Sequence, residues 1–484
     1  MHPTLLLVEV LLETFAYLKP SGSASEKSLS RRSLSALART CKPFYEPAMD
    51  LLWEDMDDYG IIPLLGCVTR LYPLVYAYGC KGFFYSDDPL SEHEGRQFLR
   101  HAARVRSLCI QSDEHFHLLT GLPIAKTCVF PRLLALRLVM RICLGQNANH
   151  WHLFLSPVLR RCELPGFYSD LKSIGTLCPG LESLSLGSVA VHATDELPYK
   201  LLSETVRSCK QLKHLQCTRL DCASWKHLSN LPTLVTVTID EGFDDVQLDP
   251  HNVNFAPFLN ITCLYFRMNT AAYAITIMQH SKFPSLKVLG LNFVATLPVA
   301  DAEQLVHALS KCKTSQTLEY MEINSIYRSE APESLLPKAI RHLFCFTQLR
   351  TLHLYFPIYL DDHILFEAMS SWPHIHSLAL ANIHFLITFR GVFAALHLCP
   401  HLHNLALHID TVHIDIDPEA ETDTLQHTSL QTLDVGTSHA GDPEAVARTI
   451  FSMLPCISRV CQGELEWDEV NSQLESLRFS TVNV

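Results

Sequence analysis

The sequence predicts an α/β solenoid, with short parallel strands on a concave face and helices on the convex face. The prediction depends on a recurring cassette, Leu-x-x-Leu-x-Leu, whose successive copies begin 22 to 32 residues apart. A period of this length is typical of units that bury their apolar faces only by stacking on one another. Five full copies begin at Leu133, Leu181, Leu286, Leu349 and Leu402, and looser copies begin at Val105, Leu159, Leu212, Leu234, Ile261, Leu318, Ile375, Leu430 and Ile457.

The chain divides into three predicted regions, residues 1–54, 55–104 and 105–484. The first is helical in pattern, because apolar residues recur at helical spacing from Val8 to Leu18. A Ser/Gly-rich break over residues 20–30 is followed by a second helix over 34–41. Pro43 stands where a third helix can start and run to Trp53.

Residues 55–104 carry no cassette, so we interpret them as a helical connector and the N-terminal cap that a solenoid needs. From Val105 onward each unit is predicted as strand, turn and helix. The second and third apolar positions of a cassette are two residues apart, so both point into the core. Helices are predicted to begin at Asp301 and at Asp442, which is followed by Pro443.

Charge and composition exclude several classes of protein. The net charge is -12 with no Lys/Arg-rich stretch, so we expect no nucleic-acid partner. Residues 410–484 hold 14 acidic and 3 basic side chains. That acidic end indicates either a solvated surface or attraction of a basic partner. We expect no membrane partner, since no apolar run approaches the ~18 residues that cross a bilayer.

The cysteines indicate a reducing compartment. There are 17, an odd number, and none stands in Cys-x-x-Cys spacing. Cys178, Cys209 and Cys399 each precede the first apolar residue of a cassette by three positions, where they are predicted to be small buried residues. Glu9 and Glu13 interrupt the N-terminal apolar stretch, which argues against a signal peptide. The expected location is cytoplasmic, nuclear or both.

Catalytic and metal-binding motifs are not found, so the sequence predicts no enzyme, no cofactor and no metal site. The histidine pairs at 115/117, 374/376 and 401/403 lack a carboxylate or thiol at ligand spacing, and we interpret them as surface residues. The alternating acids at 415, 417, 419, 421 and 423 lack the Gly and final Glu of a calcium-binding loop, so we interpret them as an acidic surface loop.

The candidate recognition surface is the concave face of the middle repeats. Residues beside the core positions of each cassette point outward. Around Ser183 and Ser185 these outward residues are small. The middle repeats instead place Tyr and Arg there, which are over-represented among binding hot spots. We therefore predict target binding by Tyr265, Arg267, Asn292, Tyr320, Glu322, Asn324, His353 and Tyr355.

The N-terminal region resembles the three-helix F-box. The resemblance lies in residues 9–15, 34–44 and 51–53. His2, the segment 41–48 and the segment 98–108 look especially like F-box proteins of mushroom-type fungi. The Cys-Pro-Gly-Leu that ends at Leu181 and the Cys-Pro-His-Leu that ends at Leu402 are similar to the cysteine-containing class of leucine-rich repeats.

The resemblance implies the substrate-recognition subunit of a Skp–cullin–F-box ubiquitin ligase, a non-catalytic receptor. Its F-box binds the Skp adaptor, through it a cullin, and its repeats bind a target protein for degradation. The alternative is a leucine-rich-repeat interaction scaffold without ligase assembly. The positions that match the family's adaptor-facing apolar residues are Leu7, Leu11, Leu12, Phe15, Leu34, Leu37 and Trp53.

Overall fold

The computed structural model forms two compact units, Met1–Leu220 and Asp221–Val484. It describes residues 8–19, 24–57, 60–77, 88–112, 115–122, 128–139, 153–165, 171–187, 196–240, 248, 255–312, 316–325, 337–382, 387–414, 426–436, 438–461 and 466–482. Leu7 and the alternating acids of residues 415–423 lie outside these ranges.

The first unit opens with three helices, as the apolar periodicity predicted. They are α1 (Val8–Ala16), α2 (Ala24–Ala38) and α3 (Lys42–Glu54). The rings of Phe15 and Phe44 meet edge to face at 5.3 Å. Because α2 already begins at Ala24, the predicted break over residues 20–30 is wrong from residue 24 onward. The core of the three helices consists of Leu11, Phe15, Leu34, Ala38, Ala48 and Leu51.

The rest of the first unit contains six parallel strands among the described residues. Each strand pairs with the next along the chain. The strands are β1 (Asp55–Met56), β2 (Ser107–Ile110), β3 (Ala135–Leu138), β4 (Arg161–Leu164), β5 (Ser183–Leu186) and β6 (His214–Cys217). The helices are α4 (Ile62–Leu65), α5 (Tyr72–Ala77), α6 (Glu92–Ala102), α7 (Phe116–Leu119), α8 (Lys172–Leu177) and α9 (Glu196–Ser208).

The second unit repeats the same plan, with nine described strands that again pair in parallel with the next in the chain. They are β7 (Thr236–Asp240), β8 (Cys263–Met268), β9 (Val288–Phe293), β10 (Tyr320–Ser325), β11 (Thr351–Ile358), β12 (Ser377–Asn382), β13 (Asn404–Ala406), β14 (Thr432–Asp434) and β15 (Val460–Cys461). The helices are α10 (Cys222–Ser229), α11 (Ala272–His280), α12 (Val299–Lys311), α13 (Pro337–Ile340), α14 (Asp362–Ser371), α15 (Phe389–Leu396), α16 (Pro443–Met453) and α17 (Glu466–Val482), with a 3-10 turn at Arg341–Cys345.

Each of the fourteen cassettes leads into one strand, which confirms the predicted repeat register. In β9, for example, Leu289 and Leu291 are buried, while Gly290 and Asn292 between and beyond them are not. Buried aliphatic side chains contribute on the order of 1.5–3 kcal/mol each, so stability comes from the stack. One strand precedes the first cassette: β1 has two residues, too few to carry the pattern.

Local signals for helices and buried cysteines are confirmed in most places. Asp442 caps α16 by accepting hydrogen bonds from the amides of Glu444 and Ala445. Helix α12 begins at Val299, two residues before the predicted Asp301. The cysteines at 178, 209 and 399 are buried, and burial raises the pKa of Cys399 to about 12. The interpretation of His115 as a surface residue is wrong, because it is buried beside the apolar helix α7.

Candidate functional site

The eight residues predicted to bind a target lie on one face of β8–β11 in the second unit, and we call them the middle strip. Along each of these strands, the residues of the middle strip alternate with buried residues. The middle strip therefore occupies the face of the sheet opposite the core. Tyr265 and Tyr355 are 38% and 41% exposed, a large aromatic area for residues on a strand. That the strip binds a target stays a prediction.

Strand pairing arranges the middle strip in rows that cross the sheet. One row contains Tyr265, Gly290, Glu322 and His353. The next row contains Arg267, Asn292, Asn324 and Tyr355. Neighbouring strands in a sheet are about 4.8 Å apart, so side chains from four repeats lie close enough to contact one ligand segment.

Glu322 lies at the centre of an aromatic cluster. The hydroxyl of Tyr320 donates a hydrogen bond to its carboxylate. Burial raises the pKa of Tyr265 and Tyr355, and the negative charge of Glu322 raises both further. The carboxylate therefore acts on tyrosines from three different strands. We call Glu322 with Tyr265, Tyr320, His353 and Tyr355 the Glu322 pocket.

His353 forms the fourth wall of the Glu322 pocket. Its ring meets Tyr320 edge to face at 6.2 Å and Tyr355 at 5.9 Å, and its Nε2 is 3.0 Å from the hydroxyl of Ser377. Burial lowers the pKa of His353, which keeps the ring neutral at pH 7. The pocket therefore presents one negative charge surrounded by rings.

Gly290 is the residue of this site that sequence reasoning missed. A Cβ added there would stand 2.6 Å from Cδ1 of Tyr265, so the tyrosine ring lies across the glycine toward Glu322. The sequence feature that could have revealed it is a glycine at an outward strand position, because such a glycine often marks the close approach of a neighbouring group.

A second depression lies on the open face of the first unit, beside the small outward residues that the sequence indicated around Ser183 and Ser185. It is a cleft of about 350 Å³ whose lining includes Ser183 and Ser185. Small side chains leave space, and the charged residues around it are Asp57, Arg137, Arg161 and Glu163. Charged side chains of both signs offer no single ligand chemistry.

The residues that the F-box resemblance assigns to the adaptor divide into two groups in the structure. Leu11, Phe15 and Leu34 are buried in the core of the three helices. Leu12 and Leu37 are partly exposed. Sequence reasoning also missed two exposed apolar side chains here, Tyr17 at 92% and Leu29 at 67%.

Helix α3 is attached to the repeats of the first unit. It ends at Glu54, and β1 begins at the next residue and pairs with β2. Arg104 forms ion pairs with both Glu46 and Asp50 of α3. The ring of Trp53 stacks on His101 of α6 with a centroid distance of 4.9 Å. Trp53 therefore contacts the repeat side of the unit.

Parallel strands, intervening helices and buried cassette leucines define the leucine-rich-repeat fold in each unit. No protein-family model matches the sequence, and no curated protein matches it. Among solved structures, the chain is similar to the crystal structure of an internalin (inlF) from Listeria monocytogenes strain 4b F2365, with 14% identity and a TM-score of 0.34. That match covers 66% of this chain and 84% of the internalin chain. Within the described ranges, no helix has the length and apolar character needed to cross a membrane.

Proposed function

We propose that the chain is the substrate-recognition subunit of a Skp–cullin–F-box ubiquitin ligase. Helices α1–α3 bind the Skp adaptor, and the open face of the repeats binds a target protein. Ubiquitin transfer takes place on another subunit, so this chain makes and breaks no covalent bond.

The attachment of α3 to the repeats is the observation that carries this proposal. A receptor that presents a target must hold its adaptor-binding helices in a fixed orientation to its repeats. The side chain of Arg104 is 12% exposed where it pairs with Glu46 and Asp50. Asp50 is 31% exposed and Glu46 is 66% exposed, so the pair with Asp50 is the better shielded from water, and losing it costs more than losing a fully exposed pair. Because α3 also continues directly into β1, a hinge between bundle and repeats is disfavoured.

The adaptor surface would consist of the apolar side chains that the bundle does not use for its own core. Leu12 is one of them, whereas Leu37 is partly exposed but packs against the core. The exposed Tyr17 and Leu29 enlarge the apolar area of this small bundle. These side chains are available for contact with an adaptor.

One observation favours the alternative, an interaction scaffold without ligase assembly. Leu11, Phe15 and Leu34 are among the residues that the resemblance assigns to the adaptor, yet they fill the core of the bundle. A chain that had lost the adaptor would still need them for folding.

Co-expression with a Skp adaptor separates the two functions. We expect the adaptor to co-purify with the wild-type chain. The double variant Leu12→Asp/Leu29→Asp changes two side chains outside the bundle core, and it should lose the adaptor while its thermal unfolding keeps the wild-type cooperativity. The matched control, Thr14→Asp/Ser35→Asp, changes two exposed residues of the same helices and should keep the adaptor. A wild-type chain that purifies without the adaptor would favour the scaffold.

A further inference from the structure

We propose that the open face of the second unit binds an extended basic segment, with one Lys or Arg side chain in the Glu322 pocket and a second beside Asp434. The inference rests on the proposed function, because the segment belongs to the target protein. It names the chemistry by which the target is recognised.

The row that contains Tyr265 and Glu322 continues across the sheet beyond the middle strip. His353 pairs with Ala379, Ala379 with Ala406, and Ala406 with Asp434. From Tyr265 to Asp434 the row contains Tyr265, Gly290, Glu322, His353, Ala379, Ala406 and Asp434. It holds two carboxylates and neither Lys nor Arg.

The Glu322 pocket has the composition that binds a cation. The faces of aromatic rings attract ammonium and guanidinium groups, and a carboxylate adds a charge-assisted hydrogen bond. Tyr265, Tyr320 and Tyr355 supply the rings, and Glu322 supplies the charge. The hydroxyl of Tyr320 donates to this carboxylate, which holds it in place between the rings.

Asp434 supplies the second anchor from the other end of the row. Its Oδ1 accepts a hydrogen bond from the amide of Gly436 at 2.9 Å, which fixes the carboxylate. Its charge acts across the sheet on Tyr355. Between His353 and Asp434 the row contains only Ala379 and Ala406, whose short side chains leave room for a peptide.

The positions of the two carboxylates set the spacing of the basic residues. Glu322 is on β10 and Asp434 is on β14, four strands away. At ~4.8 Å per strand this is roughly 19 Å, which an extended peptide at ~3.3 Å per residue covers in about six residues. Arg267 lies in the adjacent row and repels a basic segment that leaves this path.

Binding of synthetic peptides to the purified full chain tests the proposal. The probes are fluorescently labelled Gly/Ser peptides that carry two arginines about six residues apart. Matched peptides carry the same arginines two residues apart, or carry citrulline, which has the shape of arginine without its charge. We expect the widely spaced arginine peptide to bind about tenfold tighter than the citrulline peptide. We expect the closely spaced peptide to fall between them.

Two variants locate the contacts. Glu322→Gln should remove most of the preference for arginine over citrulline. Asp434→Asn keeps the oxygen that accepts from Gly436 and should remove the preference for wide spacing. The control Glu475→Gln removes an exposed acid on α17 of the same unit and should change neither preference.

Three results would overturn the proposal: equal binding of arginine and citrulline peptides, an undiminished arginine preference in Glu322→Gln, or affinity that does not depend on spacing. The assay contains no Skp adaptor. Failure of peptide binding therefore differs from failure of the ligase proposal, which is seen only as loss of the adaptor.

Discussion

The aromatic ring of Tyr265 lies across Gly290 of the neighbouring strand, where a Cβ would stand 2.6 Å from the ring atom Cδ1. Residue 290 is paired on its other side with Glu322. The glycine thus lets the ring extend over β9 toward the carboxylate. The position of the Tyr265 ring in the Glu322 pocket therefore depends on residue 290 having no side chain.

Gly290→Ala should disturb the Glu322 pocket without disturbing the fold. The backbone at 290 is ordinary strand, which alanine adopts freely. The added methyl group forces the ring of Tyr265 away from Glu322, and affinity for the two-arginine peptide should fall several-fold. Fluorescence polarisation measures the affinity, and urea unfolding checks that stability is retained. Unchanged affinity in a folded variant would mean that the position of Tyr265 does not matter for binding.

The two faces of β9 should differ sharply in stability. Leu289 is 1% exposed, and Leu289→Ala leaves a cavity that should cost about 2–5 kcal/mol. Asn292 is exposed on the open face, and Asn292→Ala should cost less than about 0.5 kcal/mol. The free energy of unfolding in urea compares the two variants. Similar losses at both positions would contradict the register, since a shift of one residue exchanges the faces.

Arg104→Gln should loosen the attachment of α3. It removes a partly shielded ion pair with Asp50 and an exposed one with Glu46, and we expect a loss of about 1–2 kcal/mol. The control Arg96→Gln breaks an exposed pair with Glu92 and should cost about 0.5 kcal/mol or less. Hydrogen exchange of the α1–α3 amides, followed by mass spectrometry, should show faster exchange in the first variant only. Equal exchange rates would show that β1 and the Trp53 contact suffice for the attachment.

The stability of the second unit should fall in acid because of His427. The amide of Leu430 donates to its Nδ1, so the ring proton is on Nε2, which donates to the carbonyl of Cys399. Burial lowers the pKa of His427 below its ordinary 6.5. The unfolded chain then binds more protons, so the stabilisation is complete above pH 6.5 and is lost as the pH falls through the lowered pKa.

Urea midpoints at pH values on both sides of 6.5 measure this effect. His427→Gln should be less stable at neutral pH and should have a flatter pH dependence in this range. A variant with the wild-type slope would assign the acid sensitivity to other groups.

Cassette leucines made the repeats predictable because a buried strand face requires apolar residues at fixed spacing. The outward residues followed from the same alternation. The sequence alone did not link Asp434 to Glu322. Which residues share a row depends on how β11 to β14 pair, and that pairing is known only from the structure. Helical periodicity placed Phe15 on an apolar stripe. Periodicity alone does not distinguish a stripe that faces the bundle's own core from one that faces a partner.

The decisive measurement is whether one chain binds the adaptor and the basic segment at the same time. Size-exclusion chromatography of the wild-type chain with a Skp adaptor and the labelled two-arginine peptide should show all three in one peak. Leu12→Asp/Leu29→Asp should lose the adaptor and keep the peptide, whereas Glu322→Gln should keep the adaptor and bind the peptide more weakly. A wild-type chain that leaves the adaptor in a separate peak, with the peptide bound or free, would contradict the account.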